Sequence, residues 1–307
     1  MIEKPSASAT EPGLTSTVSA RRTRWRRIRW TVRITVVALL IGYPLIVGLD
    51  GLFYYPDRRT YWSPTDFGLK AEDVYFRSDD GLSLHGWWLP ATGKARGVVV
   101  HFHGNAANIT NHIALAAWLP HHGFHTLMFD YRGYGQSEGR VTREGTIKDG
   151  HAAVTLAAER ARKLGLPLFA YGQSLGGAVA VVVTADRPEV AAIVSESSFG
   201  SYQGIAARHS SGMFFSEWIG GAVARASISA GHDPVDVVAK ISPRPILVIG
   251  AEHDTICFPE LARQLYDAAR EPKEWWLVPD AGHLAILDGH EYELIERITN
   301  FLDRAGK

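Results

Sequence analysis

Leu168-Phe169-Ala170-Tyr171-Gly172-Gln173-Ser174-Leu175-Gly176-Gly177 joins a short apolar run, suited to a buried strand, to a helix of small residues that continues to Ala185. A serine at such a junction occupies a sharp strand-to-helix elbow. The flanking Gly172 and Gly176 leave the backbone room to bend, and the hydroxyl projects from the end of the sheet. Ser174 is thereby a candidate nucleophile. The pentapeptide alone carries limited weight, because a chain with 30 glycines produces such spacings by chance. Residues further along the chain add the weight it lacks.

Candidate partners come downstream in the order serine, acid, histidine. Pro245 to Ala251 reads as a buried strand that runs through Glu252 and His253 to Asp254, and Glu274 to Val278 reads as another, followed by the loop Pro279-Asp280-Ala281-Gly282-His283. Ser174, Asp254 and His283 therefore fall after the carboxyl ends of separate strands, where open α/β sheets build their sites. A serine hydroxyl is a poor nucleophile until a base takes its proton; His283 is the candidate base, and Asp254 the carboxylate that orients the imidazole and stabilises its cation.

Attack on an acyl carbon also creates an oxyanion, which needs preorganised N–H donors. One comes from the residue after the nucleophile, Leu175, and one from the loop after an earlier strand. Val98-Val99-Val100-His101-Phe102-His103-Gly104-Asn105 supplies that loop, with the backbone of Asn105 as donor.

His103-Gly104-Asn105-Ala106, the run Asp130-Tyr131-Arg132-Gly133-Tyr134-Gly135-Gln136-Ser137-Glu138-Gly139, the serine elbow, Gly250 to Asp254 and Ala281-Gly282-His283 together resemble the α/β-hydrolase superfamily. The resemblance covers residues 50 to 305. It is closest to the single-pass, membrane-anchored subgroup with a His-Gly-Asn oxyanion loop, related to S33-like serine aminopeptidases and including lipid esterases and protein depalmitoylases. It implies an α/β-hydrolase fold: a mostly parallel, doubly wound sheet with a short lid insertion, working without a cofactor or metal.

Rival readings attach to several residues. Glu196, at the end of the strand-like run from Val190, is an alternative acid, but no loop signature comparable to that of Asp254 comes after it. Asp280 and Asp288 read as solvated loop charges. His101 and His103 alternate on a strand, yet nothing at ligand spacing completes a metal shell. The run from Asp130 to Gly139 lacks the Lys-Ser/Thr ending of a phosphate loop, and Asp130 and Arg132 are expected to brace it rather than do chemistry.

The 32 basic and 32 acidic residues balance, which argues against a general nucleic-acid binder, and the lone Cys257 rules out an internal disulfide. Basic charge gathers at the front: Arg21, Arg22, Arg24, Arg26, Arg27, Arg29 and Arg33 precede an uncharged stretch from Ile34 to Leu49. With Trp30, Tyr54 and Tyr55 at the interfaces, that stretch is long enough to span a bilayer. A signal peptide and a nucleic-acid-binding arginine arm are the competing readings, but no small-residue cleavage pattern closes the first. The expected organisation is a basic cytoplasmic tail over 1–29, a transmembrane anchor over 30–54 and a catalytic domain over 55–307. Arginine asymmetry places that domain outside the cytoplasm, which for a bacterium means the periplasm or the cell exterior.

Elsewhere strands and helices alternate. A hairpin turns at Asp79-Asp80-Gly81, strands are expected at 97–102, 125–129, 167–171 and 191–195, and helices at 108–121, 144–164 and 175–185. Between 198 and 233 the alternation lapses into aromatics among Gly and Ser, read equally as a lid over an acyl pocket or as helices that complete the core. The expected function is serine hydrolysis of an ester or thioester with an apolar acyl part, from a small molecule or a lipid. Peptidase, acyltransferase and a non-catalytic binding protein of the same fold are the alternatives.

Overall fold

Runs such as Gly97–Phe102 and Ile246–Ala251 are buried at every position, as strands must be when helices cover both faces of their sheet. The computed structural model describes residues 24–35, 50–210 and 217–307, excepting the side chains of 50, 52 and 217–220.

In chain order the elements are β1 (Tyr55–Pro56), β2 (Glu72–Arg77), β3 (Ser83–Leu89), β4 (Gly97–Phe102), β5 (Ala106–Ala107), α1 (Ile109–Ala116), α2 (Trp118–His121), β6 (Phe124–Phe129), α3 (Arg143–Leu164) and β7 (Leu168–Gln173). Next come α4 (Leu175–Ala185), β8 (Val190–Glu196), α5 (Tyr202–Ser210), α6 (Glu217–Ser227), α7 (Pro234–Val237), β9 (Ile246–Ala251), α8 (Pro259–Ala268), β10 (Lys273–Val278) and α9 (Leu287–Ala305). The main sheet has eight strands in the order β10-β9-β8-β7-β4-β6-β3-β2. β3 runs antiparallel to both neighbours and the remaining pairs are parallel. β1 and β5 form a separate parallel pair.

Alternate residues of β4 face opposite layers. Val98, Val100 and Phe102 join the core with Val154, Ala157, Val179 and Leu265 from α3, α4 and α8. Val99 joins Ile113, Leu119, Ile298 and Phe301 from α1, α2 and α9. The sheet is thus wound on both faces, as expected. Helix ends obey their local chemistry: Thr142 caps α3 by accepting from the Gly145 N–H, and Gly165 closes it with φ of 64°. The helix expected over 108–121 is divided at Ala117 into α1 and α2, because Pro120 has no N–H to continue the ladder.

Arg132 and Asp130 do brace the loop after β6. Arg132 donates from its backbone N–H, Nε and Nη2 to the buried Asp149, and from Nη1 to Asp80 at 2.6 Å. Asp130 accepts from the Ile109 N–H at 2.9 Å. Removing Asp149 leaves the buried backbone N–H and Nε of Arg132 without an acceptor while Asp80 still faces its charge, so Asp149→Ala is expected to cost about 3 kcal/mol. Urea unfolding checks this, and the variant at the partly exposed Asp80 should lose far less.

In the stretch read equally as a lid or as core-completing helices, Phe199, Tyr202 and Ile205 are buried in the main core, so these side chains complete the packing. Met213, Phe214 and Phe215 lie outside the described residues. A compact unit runs from Leu49 to Lys307, and Tyr54 is buried in its core. Residues 24–35 of the preceding unit are helical and exposed. No helix among the described residues is long and apolar enough to cross a membrane. The transmembrane helix expected over 30–54 is therefore not seen, and most of its uncharged stretch, 36–49, lies outside the described residues.

Candidate active site

Ser174 stands between β7 and α4, at the N-cap of the helix, with φ of 54° and ψ of −124°, a positive-φ conformation that costs a non-glycine residue about 1–3 kcal/mol and persists only where its surroundings impose it. The surroundings here are backbone. A Cβ on Gly172 would lie 2.4 Å from the Gly176 carbonyl oxygen, and one on Gly176 would lie 2.0 Å from that of Phe102. Only glycine lets the elbow sit against the end of β4.

Asp254 and His283 come from the loops after β9 and β10. Those loops are laced together by the Glu252 N–H on the Val278 carbonyl at 3.0 Å and the His253 N–H on the Ala281 carbonyl at 2.8 Å. Asp254 Oδ1 accepts from the Ile256 and Cys257 N–H groups, each at 2.8 Å, which leaves Oδ2 for His283 Nδ1 at 2.8 Å. His283 Nε2 lies 3.0 Å from Ser174 Oγ. A carboxylate facing Nδ1 places the imidazole proton there, so Nε2 is the acceptor of the serine hydroxyl. The series suits proton transfer from Oγ to the ring. Cys257 Sγ sits 3.8 Å from Oγ, but burial pushes its thiol pKa up and holds it neutral.

The loop after β4 lies against this elbow: a Cβ on Gly104 would be 3.6 Å from Ser174 Cβ. His103 Nδ1 donates to the Gly104 carbonyl at 2.7 Å, which orients the Gly104–Asn105 peptide and with it the Asn105 N–H. Burial holds the His103 pKa well below its ordinary value, so the ring stays neutral. Leu175 stands at the first position of α4, where a helix offers its N–H no internal partner. Both candidate oxyanion donors thus come from segments that meet at Ser174. The sequence marks His103 only as part of the His-Gly-Asn motif; that its ring holds the Gly104–Asn105 peptide is visible in the structure alone.

Glu196 is not brought to His283. Its carboxyl meets the Tyr171 hydroxyl and accepts from Gln173 Nε2 at 3.1 Å, and burial pushes its pKa up. Gln173 Oε1 in turn accepts from His101 Nε2 at 2.9 Å, with burial pushing the His101 pKa down to about 3. His101, Gln173, Glu196 and Tyr171 form a buried polar network beneath the elbow. Asp280 and Asp288 are exposed, as expected of solvated charges, but Asp288 lies in the first turn of α9 rather than in a loop. A surface hollow of about 510 Å³ lined by Lys94, Arg96, Pro167 and Asp303 lies at the amino ends of β4 and β7, opposite the end that carries Ser174.

Residues 93–241 match the family model described as serine aminopeptidase, S33. The chain is 35% identical over 261 residues to the uncharacterized protein YfhR of Escherichia coli O157:H7, covering 81% of this chain and 86% of that protein. It is 30% identical over 258 residues to the alpha/beta hydrolase domain-containing protein WAV2 of Arabidopsis thaliana, covering 77% and 80%. Among solved structures, the Pyrococcus furiosus esterase Pf2001 superposes with a TM-score of 0.69 at 22% identity, covering 83% of this chain and 99% of that one, a likeness of fold.

Proposed function

Because this chain belongs to the α/β-hydrolase family, we propose that it is a serine hydrolase cleaving carboxylic ester or thioester bonds of an apolar acyl substrate. The observation that carries the reading is the hydrogen-bonded series from Ser174 Oγ through His283 to Asp254, at 3.0 and 2.8 Å. In the first half-reaction Oγ attacks the acyl carbon while Nε2 takes its proton. The oxyanion forms against the N–H groups of Asn105 and Leu175, and collapse expels the alcohol or thiol as it receives the proton from Nε2. Water then attacks the acyl-serine with the same base, releasing the acid and restoring the hydroxyl. Asp254 keeps its charge throughout and stabilises the imidazolium.

Esterases among the solved structures of this fold, Pf2001 and a domain from Rhodothermus marinus, support ester chemistry. The matched family model's name, a serine aminopeptidase, supports amide cleavage as the second reading. We also propose that the uncharged stretch from Ile34 to Leu49, behind its arginine cluster, anchors the enzyme in a membrane with the Ser174 domain on the extracytoplasmic side.

One set of assays tests both proposals. The full chain should fractionate with membranes and resist carbonate extraction, whereas a chain starting at Leu49 should be soluble. Across acetyl to palmitoyl esters and thioesters, with aminoacyl amides as a further arm, kcat/KM should rise with acyl length and exceed that on amides. The shortened enzyme should match the full chain on short soluble esters and fall behind on vesicle-borne ones. Faster cleavage of the amides overturns the ester reading, and recovery of the full chain in the soluble fraction overturns the anchor.

A further inference from the structure

The loop that carries Asn105 is held from outside. The Asn105 carbonyl accepts from the Tyr134 hydroxyl at 2.7 Å and from the Tyr55 N–H at 2.9 Å. Beyond Tyr55 the chain runs along the same loop. The Asp57 N–H donates to the Ala107 carbonyl at 3.2 Å and the Trp62 N–H to that of Thr110 at 3.1 Å. Asn108 Nδ2 donates to the Asp57 and Arg59 carbonyls at 3.0 and 2.8 Å, and the Tyr61 N–H donates to Thr110 Oγ1 at 3.0 Å. The Gly135 N–H, next to Tyr134, donates to the Asp57 carbonyl at 2.9 Å.

Tyr55, Tyr61 and Trp62 leave 58%, 41% and 50% of their surface exposed, so hydrogen bonding to the loop, more than burial, seats this segment. The loop needs such support. Ala107 is held at φ of 61°, a strained conformation for a residue with a Cβ that persists only when neighbouring contacts impose it. With His103 holding the Gly104–Asn105 peptide and Tyr134 and Tyr55 holding the Asn105–Ala106 peptide, both planes flanking Asn105 are fixed. Burial raises the Tyr134 phenol above its ordinary pKa, which keeps it a donor.

We propose that residues 55–62 form a strap that, together with the Tyr134 hydroxyl, sets the direction of the Asn105 N–H, making Tyr134 a positioning residue for acyl transfer at Ser174. This rests on the hydrolase reading of Ser174. An oxyanion donor must be aimed before the charge develops; losing one outright costs about 100 to 1,000 fold in turnover, and one retained but loosened costs less. The same peptide planes bear no load in binding the ground-state ester, so the effect belongs in kcat rather than KM.

The test uses the full chain, a p-nitrophenyl butyrate assay and a trifluoromethyl ketone inhibitor, which forms a tetrahedral adduct with an active serine. Tyr134→Phe is expected to lower kcat about tenfold with KM within about twofold, and to raise the ketone's Ki by the same factor as kcat falls. Asn108→Ser removes two strap bonds but keeps a side chain able to cap α1, and is expected to lose about threefold in the same two quantities. Tyr75→Phe, which loses only an exposed hydroxyl bonded to Gln136, should match the wild type. If kcat and Ki in Tyr134→Phe and Asn108→Ser equal those of the wild type while Ser174→Ala is inactive, the strap is overturned and the hydrolase reading stands. A kcat loss that merely tracks loss of folded protein, with Ki unchanged, overturns it as well. Activity retained in Ser174→Ala overturns both.

Discussion

Ser174→Ala is expected to lower kcat for ester hydrolysis by about a million-fold, to the residual rate that binding and the oxyanion donors alone supply. The variant should fold, because Ser174 Oγ meets His283 Nε2 and Cys257 Sγ and holds up no other part of the elbow. His283→Ala should fall by a similar factor, and the double variant should be hardly worse than either, since a nucleophile and its base act as a unit. Steady-state kinetics on a short soluble ester, with circular dichroism to match the folds, makes the comparison. Additive losses in the double variant would mean that the two side chains act independently.

Asp254→Asn is the second large effect, about ten-thousand-fold in kcat, and the geometry explains why an isostere should be so damaging. Oδ1 is committed to the Ile256 and Cys257 N–H groups. An asparagine must therefore keep its carbonyl there and turn its NH2 toward His283 Nδ1. A donor facing Nδ1 drives the ring proton to Nε2, where it meets the serine hydroxyl and cannot accept from it. Glu196→Gln, by contrast, should stay within about threefold. Burial already favours the neutral carboxyl, and a glutamine carbonyl can accept from both Tyr171 and Gln173. Near-wild-type activity in Asp254→Asn together with a collapse in Glu196→Gln would move the acid to β8.

The parts of this site that are legible in the sequence are those whose chemistry is local. Ser174 is announced by glycines whose Cβ positions the backbone occupies, and Asp254 and His283 by the buried strands that deliver them. Glu196 also ends a buried strand; the missing loop signature after it already favours Asp254 in the sequence, and the placement of its carboxyl on Tyr171 and Gln173 agrees with that preference. The strap is a different case. β1 and β5 are two residues each, too short to show any periodicity, and they are joined across 51 positions from Tyr55 to Ala106. Tyr134 sits in a glycine-rich loop that reads as a connection braced by Asp130 and Arg132, and nothing in the loop marks its hydroxyl as reaching Asn105. The break in the helix between α1 and α2, by contrast, is foreseeable from Pro120.

Whether Ser174, activated by His283, attacks an acyl-like centre is decided by covalent labelling. The full chain is treated with a fluorophosphonate, and the intact mass and the proteolytic peptides are measured. A single adduct is expected on the peptide that contains Ser174, formed in step with loss of esterase activity, abolished in Ser174→Ala and strongly slowed in His283→Ala. Esterase activity that persists while Ser174 is fully modified, or an adduct that survives Ser174→Ala and still accounts for the inhibition, would show that the serine is not the nucleophile.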